Sequence, residues 1–505
     1  MDAKQMTPSL VASEPVSPSW PEDTIVAIST AIGAGAIGIV RLSGPDAIPL
    51  AGAVFRPQRS APLGAEETYS LLYGHVVDPD TSEMIDEGLM AVMRKPRSYT
   101  REDVVELHCH GGVAAQRAVL RLLIRSGARS AEPGEFTRRA FHNGRIDLAQ
   151  AESVAAIVAA RSTAALRASV RQLNGGLSER LQATRRCLIG LLAQIEATVD
   201  FSDEDVEELD WESLGGQLSS VESDLGRLLD TAFVGRALSQ GVRTAIVGKP
   251  NVGKSSLLNA LLMRERAIVS DIPGTTRDTV EELVEIGGIP IQLVDTAGLR
   301  SSGDHVERLG VSRSVEAMEQ ADLILVVVDL AAGWDEADRR LLSGLDPRRS
   351  IVIGNKADLV EDAQALLCDL AECLGLLSRE RLNDEHGKAC GKTGLSLEAG
   401  WRIVAVSALT GHGLEDLRLL IQETAAEGHE FCLDEPILAN ERHRALVQES
   451  FEWTGSAIAG VARRAGEELV CEDLRSAVGA LGRITGEELT PDLLDEIFSR
   501  FCLGK

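Results

Sequence analysis

The stretch Arg243-Thr-Ala-Ile-Val247 followed by Gly248-Lys-Pro-Asn-Val-Gly253-Lys254-Ser255 decides the fold of the centre of this chain. The first part reads as a buried strand and Ser255–Leu262 as a helix, so the loop between them is the strand–loop–helix of a P-loop. Its glycines let backbone N–H groups turn inward around phosphates. Lys254 reaches the outer phosphates and the Ser255 hydroxyl suits Mg²⁺. Two further motifs follow in order. Asp295-Thr-Ala-Gly298 comes after the apolar run Ile291–Val294, which puts Asp295 at a strand end beside the metal. Asn355-Lys356-Ala357-Asp358 follows the apolar Ser350–Ile353. A carboxylate at Asp358 can accept two hydrogens from guanine N1 and N2, a pair that adenine does not offer. The order of the three motifs implies GTP.

The expected nucleotide contacts are Asn251, Val252, Gly253, Lys254, Ser255 and Ser256 around the phosphates. Switch I is read in Ser270, Asp271, Ile272, Pro273, Gly274, Thr275 and Thr276, with Thr276 as the second Mg²⁺ hydroxyl. Asp295, Thr296, Ala297 and Gly298 complete the phosphate side. Asn355, Lys356 and Asp358 serve the base, and Ser407-Ala408 can present a backbone N–H to guanine O6.

Outward from this centre, the 505 residues suffice for about three domains. The apolar share of 44% allows sizeable cores, and a net charge of −26 argues against a large nonspecific nucleic-acid surface. Eight cysteines without a Cys-x-x-Cys pair read as reduced thiols in a cytoplasmic protein, and no run is apolar enough to span a bilayer. Residues 1–22, rich in Ser, Pro and Ala, read as a disordered tail. Residues 23–145 mix short strands (Thr24–Ile28, Gly38–Leu42, Gly88–Met93, Val104–His108) with a helix over Val113–Ser126, an α+β domain. Residues 146–240 read as helical, with one Ala-rich stretch from Asp147 to Leu173. Residues 241–428 alternate strand and helix around a mostly parallel sheet covered on both faces. Residues 429–505 are helical again, with Thr485-Gly-Glu-Glu488 as a capping box and Pro491 as a first helical residue. Helices on both sides imply a GTPase inserted into a helical domain. The segment Ala363–Gly400 is longer than a compact GTPase needs; its first half reads as helix and Asn383–Gly394 as a surface loop.

Two functions are not supplied by the motifs. Ras-like GTPases orient the attacking water with a Gln after Asp-x-x-Gly. Leu299 stands there, so the task moves to another side chain, and the acidic residues of Asp304-His-Val-Glu307-Arg308 are the nearest candidates. Charge neutralisation also needs a source. The Asn251 amide oxygen, switch I carbonyls and the Ser270 and Thr275 side chains can form an oxygen cage for a monovalent cation. Gly33-Ala-Gly35-Ala-Ile-Gly38 matches a dinucleotide fingerprint but runs into strand rather than helix. His108-Cys109-His110 lacks further ligands at zinc spacing. A Cys502 thiolate is a candidate nucleophile near the C-terminus.

Over nearly its whole length the chain resembles the MnmE (TrmE) family of tRNA-modification GTPases. The matching stretches are Asp23-Thr-Ile-Val, Gly38–Gly44, Ser98-Tyr-Thr100, Glu102–Glu106, His110-Gly-Gly112, Pro133–Ala140, Asp147–Glu152, Gly274–Asp278 and the terminal Phe501-Cys502-Leu503-Gly504-Lys505. The resemblance implies a multidomain α/β + α fold: an α+β folate-binding N-terminal domain that dimerises, a helical domain, and an inserted Ras-like P-loop GTPase domain. It implies Glu307 as catalytic acid and K⁺ held by Asn251, Ser270, Ile272 and Thr275. It implies a folate site of Arg41, Glu106, Arg145 and Lys505, taking 5,10-methylene-tetrahydrofolate or the analogue 5-formyl-tetrahydrofolate. It further implies a homodimer that joins a FAD-dependent MnmG-type subunit in a heterotetramer. That complex places an aminomethyl or carboxymethylaminomethyl group on C5 of the wobble uridine of tRNA. The chain departs from the family at Ala31-Ile32-Gly33-Ala34, where Pro-Pro-Gly-Arg is usual, and at Arg101, where Gly is usual. The competing reading is a GTP-switched ribosome-assembly factor, which usually carries an RNA-binding module or a second GTPase domain; neither is visible.

Overall fold

The computed structural model describes residues 23–58, 68–200, 209–264, 281–295, 317–373, 388–390, 394–396, 401–425, 435–487, 491–502 and 504. The tail expected over residues 1–22 lies outside them. The chain divides into two compact units, Met1–Ala151 with Leu489–Lys505, and Glu152–Glu488.

The first unit is built on β1 (Ile25–Ile28), β2 (Ile37–Ser43), β3 (Phe55–Pro57), β4 (Ser70–Val77), β5 (Met84–Met93), β6 (Val104–His110) and β7 (Arg129–Ser130). Among the described residues these form one sheet in the order β3-β4-β5-β6-β2-β1-β7. All pairs are antiparallel except β1 with β7. Helices α1 (Ala47–Val54) and α2 (Val113–Arg125) cover one face, burying Val40, Leu42, Leu107 and Val119 in a shared core. The alternation of apolar and polar residues along β2 and β6 is what a sheet with one covered face requires. Helix α3 (Glu135–His142) follows Gly134, whose φ of +69° and a Cβ position 2.7 Å from Phe498 O both demand glycine.

Helix α4 (Leu148–Ala159) is separated from α5 (Thr163–Leu173) by a break. The Ala-rich stretch therefore is not continuous: Ser162 Oγ accepts from Ala165 N and starts a new helix. Helices α6 (Gly176–Asp200), α7 (Trp211–Asp230) and α8 (Ala232–Gln240) complete the first helical segment. Asp210, the end of an acidic run, caps α7 through Glu212 N and Ser213 N.

The central sheet comprises β8 (Val242–Val247), β9 (Glu281–Ile286), β10 (Ile289–Asp295), β11 (Leu323–Asp329), β12 (Ser350–Asn355), β13 (Lys388–Cys390), β14 (Gly394–Ser396) and β15 (Arg402–Ala405). Its order is β13-β14-β15-β12-β11-β8-β10-β9. The middle pairs, from β15 to β10, are parallel. Around it lie α9 (Lys254–Arg264), α10 (Glu336–Ser343), α11 (Ala363–Cys373) and α12 (Leu414–Ala425). The uninterrupted apolar β11 reflects burial on both faces. Leu323, Leu325 and Val327 enter one core, and Ile324, Val326 and Val328 the other. Within Ala363–Gly400, Lys388–Cys390 and Gly394–Ser396 are strands that extend the sheet edge through antiparallel pairing. This corrects the reading of Asn383–Gly394 as loop throughout.

After the sheet come α13 (Glu441–Arg463), α14 (Glu467–Thr485) and α15 (Pro491–Ser499). Helix α13 packs on α7 and α14, and α14 on α6, so helical segments from both sides of the GTPase share one bundle. Thr485 is the last residue of α14 and Gly486, at φ +96°, its C-cap. The expected capping box is thus a helix end: a left-handed glycine satisfies the last carbonyls, and Gly486 N donates to Gly482 O. Helix α15 belongs to the first unit, where Phe498 packs on Phe141 and Phe501.

Candidate functional site

The P-loop leaves the C-terminal end of β8 and enters α9. Gly248 at φ +146°, Asn251 at +65° and Gly253 at +98° give the loop its inward turn. A Cβ on Gly248 would stand 2.2 Å from Val327 O, so the loop lies hard against β11. Lys254 Nζ donates to Gly248 O at 2.8 Å and Lys249 O at 2.6 Å, closing the loop on itself. Ser255 and Ser256 are exposed in the first turn of α9, where helix N–H groups and dipole favour phosphate. Strand register sets Asp295 beside Ile246, one residue before the loop strand ends.

The base-reading loops are tied to the P-loop through Asn355, which is 2% exposed. Its Nδ2 donates to Val252 O at 2.9 Å, and its Oδ1 accepts from Ala408 N at 3.1 Å. Of the N–H groups that Ser407-Ala408 could present to guanine O6, that of Ala408 is engaged by Asn355 in this structure. Asp358 is exposed, and its Oδ1 accepts from the buried Ser407 Oγ at 2.5 Å. Each carboxylate oxygen carries two lone pairs, so acceptor capacity for two guanine hydrogens is kept. Lys356, at φ +63°, donates to Asp329 Oδ2 at 2.5 Å. Burial pushes the Asp329 carboxyl up, but Lys356 and the Ala331 and Ala332 N–H groups outweigh it and hold it below its ordinary range.

Ser270, Asp271, Ile272, Pro273, Gly274, Thr275, Thr276, Thr296, Ala297, Gly298 and Glu307 lie outside the described residues. Of the Mg²⁺ pair, Ser255 is described; of the K⁺ set, Asn251 is. The donors fit their ions by type: a hydroxyl at a helix start for Mg²⁺, and an amide oxygen on an exposed left-handed residue for K⁺.

A second constellation stands in the first unit. Arg41 on β2 faces Glu106 on β6 in register, with Nε to Oε1 at 2.8 Å. Glu106 Oε2 also lies 3.4 Å from His108 Nε2. Arg41 Nη1 reaches Gly504 O at 3.4 Å, and Ser29 Oγ donates to the same carbonyl at 3.1 Å. A Cβ on Gly504 would stand 2.3 Å from Ile28 O, so only glycine lets the tail approach β1. Arg145 Nη1 donates to Tyr99 O at 2.8 Å, and its guanidinium lies 4.7 Å from the Tyr99 ring centre. The Arg41 guanidinium lies 5.6 Å from the same ring. Arg41 thus joins Glu106, the Tyr99 ring and the C-terminal tail, and Arg145 meets the same ring, while Lys505 lies outside the described residues. Cys502 is exposed, and its carbonyl accepts from Gly134 N at 3.5 Å. In contrast, burial pushes the Cys109 thiol up to about 11. His110 Nδ1 pairs with Asp86 at 2.6 Å.

Family comparisons agree across both units. The MnmE helical domain matches residues 148–502 and the GTP-binding protein TrmE N-terminus matches residues 24–145. The tRNA modification GTPase MnmE of Moorella thermoacetica is 47% identical over 486 residues, 96% of this chain and 100% of that protein. The chain belongs to the MnmE family. The Symbiobacterium thermophilum MnmE is 45% identical and the Carboxydothermus hydrogenoformans MnmE 43%, each over 96% of this chain and 100% of its own length. Among solved structures, the G domain of the T. maritima FeoB iron transporter is similar at 26% identity. That match covers 36% of this chain and 98% of that one, with a TM-score of 0.24.

Arg101 sits at φ +61°, a conformation that glycine adopts most readily, and its Nη1 donates to Asn143 O at 2.9 Å. Sequence reasoning missed several positioning residues. Tyr99 lies inside the quoted Ser98-Tyr-Thr100 stretch and supplies the ring between two arginines. Lys249, the second P-loop residue, pairs at 2.5 Å with both Asp335 and Asp338 and ties the loop to α10. The capping pattern Asp335-x-x-Asp338 was the available signal.

Proposed function

We propose that this chain is the GTP-hydrolysing subunit of an enzyme that modifies C5 of the wobble uridine in tRNA. Membership of the MnmE family over 96% of the chain carries the reading. GTP is read by Asp358, braced by Ser407, and its phosphates by the Gly248–Ser255 loop. Ser255 and Thr276 hold Mg²⁺. Asn251, Ser270, Ile272 and Thr275 hold K⁺, whose charge takes the part of an arginine finger. Glu307 orients the attacking water in place of Gln. The Val252–Asn355–Ala408 chain of hydrogen bonds supports coupling between base and phosphate loops.

The first unit takes the folate. Arg41 and Arg145 suit its anionic tail, Glu106 the donor edge of its pterin, and Lys505 adds a further cation. When bound, methylene-tetrahydrofolate supplies the one-carbon unit. Cys502 is the candidate nucleophile there, a reading supported by its exposure on the tail whose Gly504 carbonyl Arg41 and Ser29 hold. A second copy of the chain pairs through the first unit: Tyr69, Leu71 and Tyr73, at alternate positions, are exposed on one face of the sheet edge. A FAD-dependent subunit of the MnmG type and tRNA complete the assembly, in the cytoplasm. No helix among the described residues is long and apolar enough to cross a membrane.

The test is mass spectrometry of tRNA nucleosides from cells lacking this chain. Loss of C5-aminomethyl-type wobble uridines, restored by the intact gene and not by Glu307→Ala, is expected. Unchanged uridines would overturn the tRNA reading and move the target to ribosome assembly.

A further inference from the structure

The parallel strands of the central sheet begin on the edge opposite the P-loop. There a cleft of about 680 Å³ opens between that edge and α8. Four arginines line it, Arg236 from α8, Arg348 and Arg349 before β12, and Arg402 at the start of β15, against two carboxylates, Asp322 and Asp346. A net positive cleft is unexpected in a chain of net charge −26.

The two carboxylates offset only two of the four positive charges. Asp346 Oδ1 caps a 3-10 turn by accepting from Arg348 N at 3.0 Å, which turns this carboxylate toward the main chain. Asp322 Oδ2 accepts from Arg243 N at 3.0 Å, and its other oxygen stands 3.8 Å from Arg236. Two guanidiniums are braced by main-chain carbonyls, which carry no charge: Arg349 Nη1 on Ala321 O at 3.1 Å, and Arg402 Nη1 on Arg348 O at 3.2 Å. Such bracing fixes the direction of a guanidinium while leaving donors for a ligand, since each has five N–H groups. Planar forks of this kind match phosphate oxygens two at a time. The volume lies within the range of small-molecule sites.

We propose that this cleft is a second binding site, separate from the GTP site, for a compact phosphate polyanion of the pyrophosphate class. Its place gives the ligand a consequence. The chain enters the sheet at Gly241–Val242 and α12 ends at Ala425, both on the cleft wall. An anion shared by Arg236 and Arg348 bridges α8 to the sheet across that junction.

The full chain, loaded with GDP without added Mg²⁺ to fill the P-loop, is titrated with sodium pyrophosphate by calorimetry at low salt. One pyrophosphate per chain is expected. The double variant Arg236→Ala/Arg348→Ala should weaken it at least tenfold, with GDP affinity and melting temperature unchanged. Both side chains are exposed, and Arg348→Glu alone should give the same ordering. No binding at millimolar pyrophosphate, or binding that the double variant leaves intact, overturns the proposal. An RNA stem-loop that binds the intact chain but not the double variant, with no pyrophosphate binding, overturns it in favour of an RNA backbone.

Discussion

Removing the Asn355 amide, or displacing it with a side chain at Gly253, should cripple nucleotide binding, and doing both should cost little more than the larger of the two. In Asn355→Ala, Val252 O loses its donor and Ala408 N its acceptor at a buried position. Two groups left unpaired at about 1–1.5 kcal/mol each sum to about 2–3 kcal/mol. That corresponds to a GDP affinity weakened about 30- to 150-fold. In Gly253→Ala the new Cβ stands 2.2 Å from Asn355 Nδ2, and the next atom, Asn355 Cγ, is at 3.5 Å. The substitution expels the amide, with the same loss, and adds about 1–2 kcal/mol for a side chain at φ +98°. The double variant has no amide to expel. Its cost equals that of Gly253→Ala, about 3–5 kcal/mol, where simple addition gives about 5–8 kcal/mol. The assay is displacement of a fluorescent GDP analogue from the four proteins, with melting temperatures as control. A coupling of about 2–3 kcal/mol is expected; additivity within about 0.5 kcal/mol would refute the contact as the link between phosphate and base loops.

Three other outcomes are expected. Glu307→Ala should bind GTP within about threefold of the intact chain and hydrolyse it at least about 100-fold more slowly; single-turnover hydrolysis at near-normal rates would remove Glu307 from the mechanism. Replacing K⁺ by Na⁺ should slow turnover about tenfold or more in the intact chain, and equal rates would remove the cation role of Asn251. Glu152 gives a pH test of the second unit. Burial raises its carboxyl, but His443 and Arg442, at 2.5 and 2.6 Å, outweigh that and hold it down at about 2. A depressed folded-state value contributes stability above the ordinary value of 4.5, and this is lost as pH falls toward about 2. The contribution is about 3 kcal/mol. Urea midpoints should fall steeply from pH 5 to pH 2.5 in the intact chain and less in Glu152→Gln; parallel slopes would contradict the ion cluster.

The nucleotide side of the molecule was legible where local pattern and burial agree. Six consecutive residues of β11, Leu323 to Val328, are apolar because both its faces are covered, and β8 and α9 flank the loop as a P-loop requires. Where local signals have two meanings, tertiary context chose. Thr485-Gly-Glu-Glu reads as a helix start, but Gly486 in the left-handed region ends α14 instead. Lys388–Cys390 and Gly394–Ser396 are too short and polar to read as strands, and they form because the edge of β15 offers unpaired backbone groups. Strand β4 escaped for a related reason: Leu71 and Tyr73 carry apolar side chains on the exposed face, which blurs the alternation. At the sites, residue types in fixed motifs were readable. The ties that hold them, Lys249 to Asp335 and Asp338, Lys356 to Asp329 and Arg145 to Tyr99, join residues distant in sequence and required the fold.

The central claim is that guanine reading by this chain drives tRNA modification. Its most direct test supplies the Asp358→Asn protein to an extract of cells lacking the chain, with GTP or xanthosine triphosphate, and measures wobble nucleosides by mass spectrometry. An amide at position 358 accepts from one guanine hydrogen and repels the other, whereas the second oxo group of xanthine suits its N–H. Modification with xanthosine triphosphate and not with GTP is predicted. Equal modification with GTP, or none with either nucleotide while the intact chain is active, would contradict the account.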